Sequence, residues 1–257
     1  MSGVHRAALV LLSLLALGAA VLVGADPAAA AVAPEEPAVT IELDGDPDAV
    51  PSQAIIVILG LTLLSLAPAL LVLMTSFTRI AIVLSLTRNA LGLQAIPPNP
   101  VIVGLALFLS LFVMSPVLSE VWSEGLSPFL DGLKDQETAY ADGIAPLRDF
   151  MLAHVGRDEL ALFMDASGAE RPDTPQDVSM ATLVPAFVIS ELKTAFIIGF
   201  IIFIPFLVID IVVSSTLMSM GMMMLPPVLI SLPFKILLFV LVDGWSLIAQ
   251  SLLNSYA

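Results

Sequence analysis

The sequence predicts an all-α integral membrane protein built from kinked helical hairpins. Of its 257 residues, 58% are hydrophobic and 12% are charged, and the mean hydropathy is +1.02. These values lie outside the usual range of soluble domains. The apolar residues form blocks long enough to span a bilayer, and prolines inside the blocks, such as Pro68 and Pro205, predict kinks.

The acidic residues are concentrated in two segments that separate the apolar blocks. Residues 25–50 carry seven acids and no base, and residues 117–185 carry thirteen acids and four bases. We expect both segments to face water, and they produce the net charge of −14. Because such segments repel phosphate, nucleic acid is excluded as an expected partner. The absence of cysteine excludes disulfides and thiolate chemistry.

The alternation of apolar and acidic stretches predicts five segments. They are residues 1–25, a signal peptide; 26–52, a flexible acidic segment; 53–118, a first apolar helical hairpin; 119–185, an acidic extracytoplasmic segment; and 186–257, a second apolar hairpin with a methionine-rich turn.

The first segment has the pattern of an export signal. A short basic region at His5 and Arg6 precedes an apolar stretch and a small-residue cleavage site before Asp26. An uncleaved membrane helix is the alternative. The acidic, Ala/Pro-rich stretch that follows favours the signal peptide, because it is typical of a flexible tail.

Four apolar blocks are predicted to span the membrane. They are residues 53–74, 101–118, 186–213 and 228–248. Arg79 is expected on a helix continuation of the first block or in an interfacial turn. Arg79 and Arg88 are counted as the bases of the short connection between the first two blocks, which the positive-inside rule places in the cytoplasm. The same rule places the acidic segments outside and the methionine-rich turn on the cytoplasmic side.

Methionine is concentrated in the turn of the second hairpin. Five of the eleven methionines fall within seven residues: Met218, Met220, Met222, Met223 and Met224. Methionine is flexible and re-packs against changing partners, while the glycine and double proline around the cluster break a helix. We interpret the cluster as a deformable apolar gasket. The alternative is that these side chains only face lipid or fill helix contacts.

Three charged residues inside apolar blocks are predicted to form structural charge pairs: Asp210, Glu191 and Lys235. Charges at membrane depth cost about 3 kcal/mol or more unless they are paired. A simple hairpin that turns at the methionines brings Asp210 opposite Lys235. Bent helices or a neighbouring subunit would bring Glu191 there instead. A proton relay is the alternative to a role in packing and assembly.

Signatures of catalysis are missing from the sequence. It contains no phosphate-binding Gly-rich loop, no His-Glu-x-x-His and no Gly-x-Ser-x-Gly. His154 is the one histidine outside the signal region, and we expect a solvated side chain there. We therefore expect no enzymatic activity, no catalytic residue, no metal and no cofactor.

Several motifs resemble those of the flagellar biosynthesis protein FliP family. The most specific is PAFVISELKTAFIIG at residues 185–199. The segments MTSFTRI and QAIPPN, at residues 74–80 and 94–99, resemble motifs in the first half of the family's sequence. Residues 218–245, which end in DGW, resemble the family's final hairpin. The resemblance covers about residues 52–250.

This resemblance implies a pore-forming core subunit of the flagellar type III protein export gate. Members assemble as five copies, with Q- and R-type export-gate proteins, into a helical channel for unfolded flagellar proteins in the inner cell membrane, at the flagellar basal body. The methionines at 222–224 would close the pore. In that assembly much of the chain lies outside the bilayer plane. The resemblance therefore implies that the four spans predicted above do not lie at the depth of conventional transmembrane helices. The signal peptide favours the flagellar branch.

A small-solute or ion secondary transporter is the alternative function. It would use Asp210 and Lys235 as a coupling site beside a broken helix. The sequence shows no repeated halves and few charges in its apolar blocks, which argues against this class. A polytopic membrane enzyme is a third alternative, and it lacks a nucleophile or metal set.

Overall fold

The computed structural model describes residues 72–93, 96–168, 174–222 and 224–256, together with three isolated positions before residue 72. The chain divides into two units, Met1–Leu71 and Val72–Ala257, and the description below concerns the second. The predicted signal peptide, the acidic segment 26–52 and most of the first span lie outside the described residues.

From residue 72 onward the described residues are helical, and no strand occurs among them. The helices are α1 (Phe77–Ala90), α2 (Asn99–Glu120), α3 (Ser127–Leu130), α4 (Gln136–His154), α5 (Arg157–Ser167), α6 (Met180–Ser219), α7 (Pro227–Leu241) and α8 (Gly244–Asn254). A π-helical turn, Val121–Leu126, joins α2 to α3, and a 3₁₀ turn, Pro175–Asp177, precedes α6. The all-α prediction is confirmed for this part of the chain.

Two continuous helical stretches among the described residues are long and apolar enough to cross a membrane. They are Asn99–Leu130 and Met180–Ser219, whose most apolar 18-residue windows have mean hydropathies of 2.6 and 3.0. Helices α7 and α8 meet the same criterion as a pair bent by 62°. The second and third predicted spans therefore lie within single helices, and the fourth falls on a bent pair.

Helix α6 is the longest element among the described residues, and it includes Pro205, the position of the predicted kink. Its 40 residues correspond to about 60 Å at 1.5 Å per residue, against a hydrocarbon core of about 30 Å. Part of α6 must therefore lie outside a bilayer. Its first turn is capped by Ser179, whose hydroxyl accepts a hydrogen bond from the Thr182 amide at 3.3 Å.

The bend of 62° between α7 and α8 lies at Asp243. This residue has a φ of 50°, in the left-handed region, which Asp adopts more readily than most residues. A Cβ on the following residue, Gly244, would come within 2.3 Å of the Phe239 ring. The chain can therefore turn this closely against Phe239 only because a glycine follows the bend.

Two clusters of buried side chains hold the helices together. The hairpin cluster joins α1, the start of α2, α6, α7 and α8; it comprises Ile80, Val83, Leu84, Ala90, Leu91, Ile102, Ala106, Ala195, Phe206, Phe239, Ile248 and Leu252. The segment cluster joins the end of α2 and the start of α6 to α4; it comprises Met74, Met114, Leu147, Phe150, Met151, Val178, Leu183 and Phe187. Tyr256 packs against both clusters.

The acidic segment folds back onto the end of α2 through a close contact between two glycines. A Cβ on Gly125, in the π-helical turn, would lie 2.6 Å from the Cα of Gly143 in α4. The two backbones therefore approach as closely as glycine allows. Opposite charges support the contact, because Lys134 Nζ donates to Asp142 Oδ2 and to the Glu124 carbonyl, both at 2.7 Å.

Replacing Gly125 with Ala is expected to lower the free energy of unfolding by about 1–3 kcal/mol, because backbone must move to admit the new methyl group. Gly104→Ala is the matched control. Gly104 lies on the same helical stretch, and no atom lies within 4 Å of the position of an added Cβ. The substitution should therefore leave the free energy of unfolding unchanged or raise it by about 1 kcal/mol. Apparent melting temperatures of the two variants in detergent test this. Equal temperatures would contradict the close contact.

Candidate functional site: the methionine turn and the ion pairs

The methionine turn, residues 218–226, has a hydrogen-bonded backbone at its start, up to Met222. Helix α6 ends at Ser219, and Gly221 adopts a φ of 76°. The Gly221 amide donates to the Met218 carbonyl at 3.1 Å, and the Met222 amide donates to the Leu217 carbonyl at 3.0 Å. This pattern is a Schellman motif, which glycine permits because it adopts the left-handed conformation without strain. Helix α7 then starts at Pro227.

The side chains of the turn form an apolar, solvent-exposed tip in the single chain. Met218, Met220 and Met224 are mostly exposed, and Met222 is half-buried. Met223 lies outside the described residues. The exposed apolar surface continues over the first residues of α7. The hydrogen-bonded start of the turn thus carries flexible apolar side chains at the end of the hairpin.

Lys235 and Asp210 form an ion pair between α7 and α6. Lys235 Nζ donates to Asp210 Oδ2 at 2.7 Å and to the Ala90 carbonyl at 3.3 Å. The other carboxylate oxygen, Asp210 Oδ1, accepts from Ser231 Oγ at 2.6 Å. The lysine is buried and the aspartate is partly exposed. The structure therefore brings together the two residues that a simple hairpin predicts, and links both helices to the end of α1.

Glu191 pairs with Arg79 rather than with Lys235. Arg79 Nε donates to Glu191 Oε2 at 2.9 Å, and Nη2 contacts the other carboxylate oxygen. The Tyr256 hydroxyl donates to the same carboxylate. Arg79 also donates to the carbonyl and the hydroxyl of Ser255, both at 3.0 Å, and lies 4.0 Å from the Tyr256 ring centroid. This buried, bidentate pair joins α1, α6 and the C-terminal residues.

Of the two expected positions of Arg79, the structure has the helical one, and it corrects the counting of this base as a loop charge. Arg79 lies in α1 with its side chain buried. It therefore does not count as a loop charge when the positive-inside rule is applied. Arg88, near the end of α1, donates to the Pro97 carbonyl at 3.1 Å and to Asn99 Oδ1 at 2.6 Å. The cytoplasmic placement of the α1–α2 connection therefore rests on Arg88 alone, and it remains a prediction.

A third ion pair attaches the acidic segment to α6. Lys193 Nζ donates to Glu159 Oε1 at 2.6 Å, and the Gly156 amide donates to Ser190 Oγ at 2.8 Å. The hydrogen bond from Lys193 lowers the pKa of Glu159. Because the pKa is depressed in the folded protein, the contact stabilises above the unfolded-state pKa and is lost as pH falls through the folded-state value.

His154 is partly buried, contrary to the expected solvated side chain. Its ring lies 4.6 Å from the Phe150 ring and 5.1 Å from the Tyr256 ring, between centroids, and Nδ1 is 2.7 Å from the Phe150 carbonyl. Aromatic packing therefore explains this histidine. Within the described ranges, no group of three or more His, Cys, Asp or Glu side chains could hold a metal ion.

Sequence reasoning missed Arg79 and Tyr256 as members of this network. Arg79 carried a usable signal, since a base between apolar runs needs a buried partner and Glu191 was available. Tyr256 carried none, because it lies beyond the final recognisable motif. Its role depends on where the last helix ends in three dimensions.

The fold and the site define a helical membrane protein whose second hairpin ends in an exposed methionine turn. The model of the FliP family matches residues 60–252. The chain is 55% identical over 218 residues to the flagellar biosynthetic protein FliP of Bacillus subtilis (strain 168), covering 85% of this chain and 98% of that protein. The chain belongs to the FliP family, so the predicted resemblance is confirmed.

Two further relatives carry the same name. The flagellar biosynthetic protein FliP of Pectobacterium carotovorum is 56% identical over 196 residues, covering 76% of each chain. That of Caulobacter vibrioides is 51% identical over 206 residues, covering 80% of this chain and 77% of the relative. Apolar helices and this family together identify a membrane-associated component of flagellar biosynthesis and protein export.

Changing Glu191 to Gln is expected to lower the free energy of unfolding by about 3–5 kcal/mol, because it leaves the Arg79 charge buried without a counter-charge. Glu159→Gln is the matched control. Its partner Lys193 has a side chain 55% exposed, so the loss should be about 0–1 kcal/mol. Melting temperature and yield after detergent extraction measure both. Similar losses for the two variants would contradict a special role for the buried pair.

Proposed function

We propose that this chain is the pore-forming core subunit of the flagellar type III protein export gate, conducting unfolded flagellar subunits across the inner membrane. The observation that carries the proposal is the family match over residues 60–252, which includes both the helix α6 motif and the methionine turn. The relatives' printed name, flagellar biosynthetic protein, agrees with a role in building the flagellum.

The apolar outer faces of the helices support an assembly of several copies. In the most apolar window of α6, only 11% of residues are buried within the chain. Exposed side chains include Phe196, Phe200 and Ile204 on α6, and Phe108 and Phe112 on α2. An exposed apolar surface of this extent must be covered by lipid or by other chains. We infer a complex of five copies with Q- and R-type export-gate proteins, multi-pass in the inner membrane at the flagellar basal body.

The methionine turn supplies the seal of the proposed pore. Ser219 lies nine residues after Asp210 on the same helix, so the Asp210–Lys235 pair lies on the order of 15 Å from the tip. The pair holds the hairpin helices together below the tip, and the Schellman motif holds the backbone at the tip. The methionine side chains supply compliance, because they re-pack around a passing chain.

A secondary transporter is not supported as the alternative. The relatives described above are flagellar biosynthetic proteins. In addition, both oxygens of Asp210 are engaged, one by Lys235 and the other by Ser231. A satisfied pair of this kind fits a structural role better than a coupling site that must exchange ions.

Deleting the chain is expected to abolish export of flagellar filament protein while leaving general secretion intact, because the export gate serves the flagellar pathway alone. Extracellular flagellin and motility measure the first effect, and a secreted protein of the general pathway is the control. Complementation with the intact chain should restore both readouts. Normal motility in a clean deletion would end the proposal.

Replacing Met222, Met223 and Met224 together with Ala is expected to make the closed gate leak ions, because each side chain loses most of its apolar bulk while the backbone stays. The triple Leu variant is the matched control: it keeps volume but loses flexibility, so it should seal and export less. Conductance of the purified complex in a planar bilayer measures the seal. A triple-Ala complex that assembles and stays as ion-tight as the wild type would refute the gasket.

A further inference from the structure

The exposure of the methionine side chains in this chain is sharply divided. In the turn, Met224 is 98% exposed, and Met218 and Met220 are each 65% exposed. In the segment cluster, by contrast, Met114 is 1% exposed and Met151 is fully buried. Susceptibility of a methionine to oxidation follows its exposure to the oxidant. In the single chain the turn therefore presents exposed thioethers, and the two buried methionines are protected thioethers that serve as internal references.

Several polar groups at the start of the turn are already occupied. The Thr216 hydroxyl donates to the Val212 carbonyl at 2.8 Å, and the Ser219 hydroxyl donates to the Thr216 carbonyl at 2.8 Å. The amides of Gly221 and Met222 are used by the Schellman motif. A new acceptor on a methionine sulfur would therefore find water as its partner rather than these donors. In an apolar seal, an acceptor that needs water is destabilising.

We propose that Met218, Met220 and Met224 form an oxidation site at which peroxide converts the thioethers to sulfoxides and thereby opens the closed gate. This inference rests on the proposed function, because it assigns a redox sensitivity to the same turn. In each step the peroxide O–O bond breaks, a new S–O bond forms and the second oxygen leaves as water. The sulfur is oxidised by two electrons and the peroxide is reduced.

The change is reversible in chemical principle. A methionine sulfoxide reductase removes the oxygen as water while a dithiol is oxidised to a disulfide. Oxidation replaces a flexible apolar side chain with a polar one, so the tip keeps its backbone but loses its dry surface. The expected consequence is water and ion entry through a gate that no substrate occupies.

The test uses the purified, assembled export-gate complex treated with hydrogen peroxide. Peptide mass spectrometry follows oxygen addition at each methionine, and the turn is expected to react at least about tenfold faster than Met114 and Met151. Bilayer conductance of the same preparation is expected to rise with oxidation and to return after treatment with the reductase and a dithiol. The matched variant, in which Leu replaces all five methionines of the turn, should show no rise.

Three results would overturn the inference. The first is a turn that reacts no faster than the buried methionines in the assembled complex. The second is a Leu variant whose conductance rises under peroxide as much as that of the wild type. The third is a turn that becomes oxidised while conductance stays unchanged.

The triple-Ala variant at residues 222–224 separates failure of this inference from failure of the proposed function. If the oxidised wild type stays tight but the Ala variant leaks, the turn is a seal and only the redox inference fails. If the oxidised wild type and the Ala variant both stay tight, the gasket fails as well.

Discussion

The buried pair of Arg79 and Glu191 is the interaction on which the rest of this structure depends. It lies between neighbouring residues of the two apolar clusters: Ile80 beside Arg79 belongs to the hairpin cluster, and Phe187 one turn before Glu191 belongs to the segment cluster. Two desolvated charges tolerate little misalignment, because the attraction must offset a large desolvation cost. The pair therefore sets how α1 and α6 align. Tyr256, which packs on both clusters and on this pair, ties the C-terminal end of the chain to the same point.

The ion pairs lie inside the molecule, whereas its outward faces are apolar. The ion pairs connect helices of one chain, whereas the outward faces of α2 and α6 remain apolar. In a membrane or a larger complex, such faces associate through packing rather than through the hydrophobic effect alone. The internal pairs therefore define the shape of the chain without contributions from whatever covers those faces.

The acidic segment is attached by contacts of a different kind. The buried Glu159 and the exposed Lys193 join it to α6, and the contact of Gly125 with Gly143 joins it to the end of α2. An ion pair whose lysine lies in water contributes little on its own, so the buried side chains of α4, such as Phe150 and Met151, account for most of the attachment. The segment can thus be strongly acidic on its surface and still pack firmly.

The sequence by itself determined the all-α class, the methionine turn and the family, because hydropathy, proline positions and motifs are local properties of the chain. Counting residues from the turn also related Asp210 to Lys235, since partners in a hairpin are equidistant from its tip. Only the tertiary structure decided that Arg79 pairs with Glu191 and that Tyr256 joins them, because these contacts cross 112 and 65 residues of chain. No periodicity relates such distant positions. Their partnership follows from how α1, α6 and the C-terminal residues pack, which is a property of the whole fold.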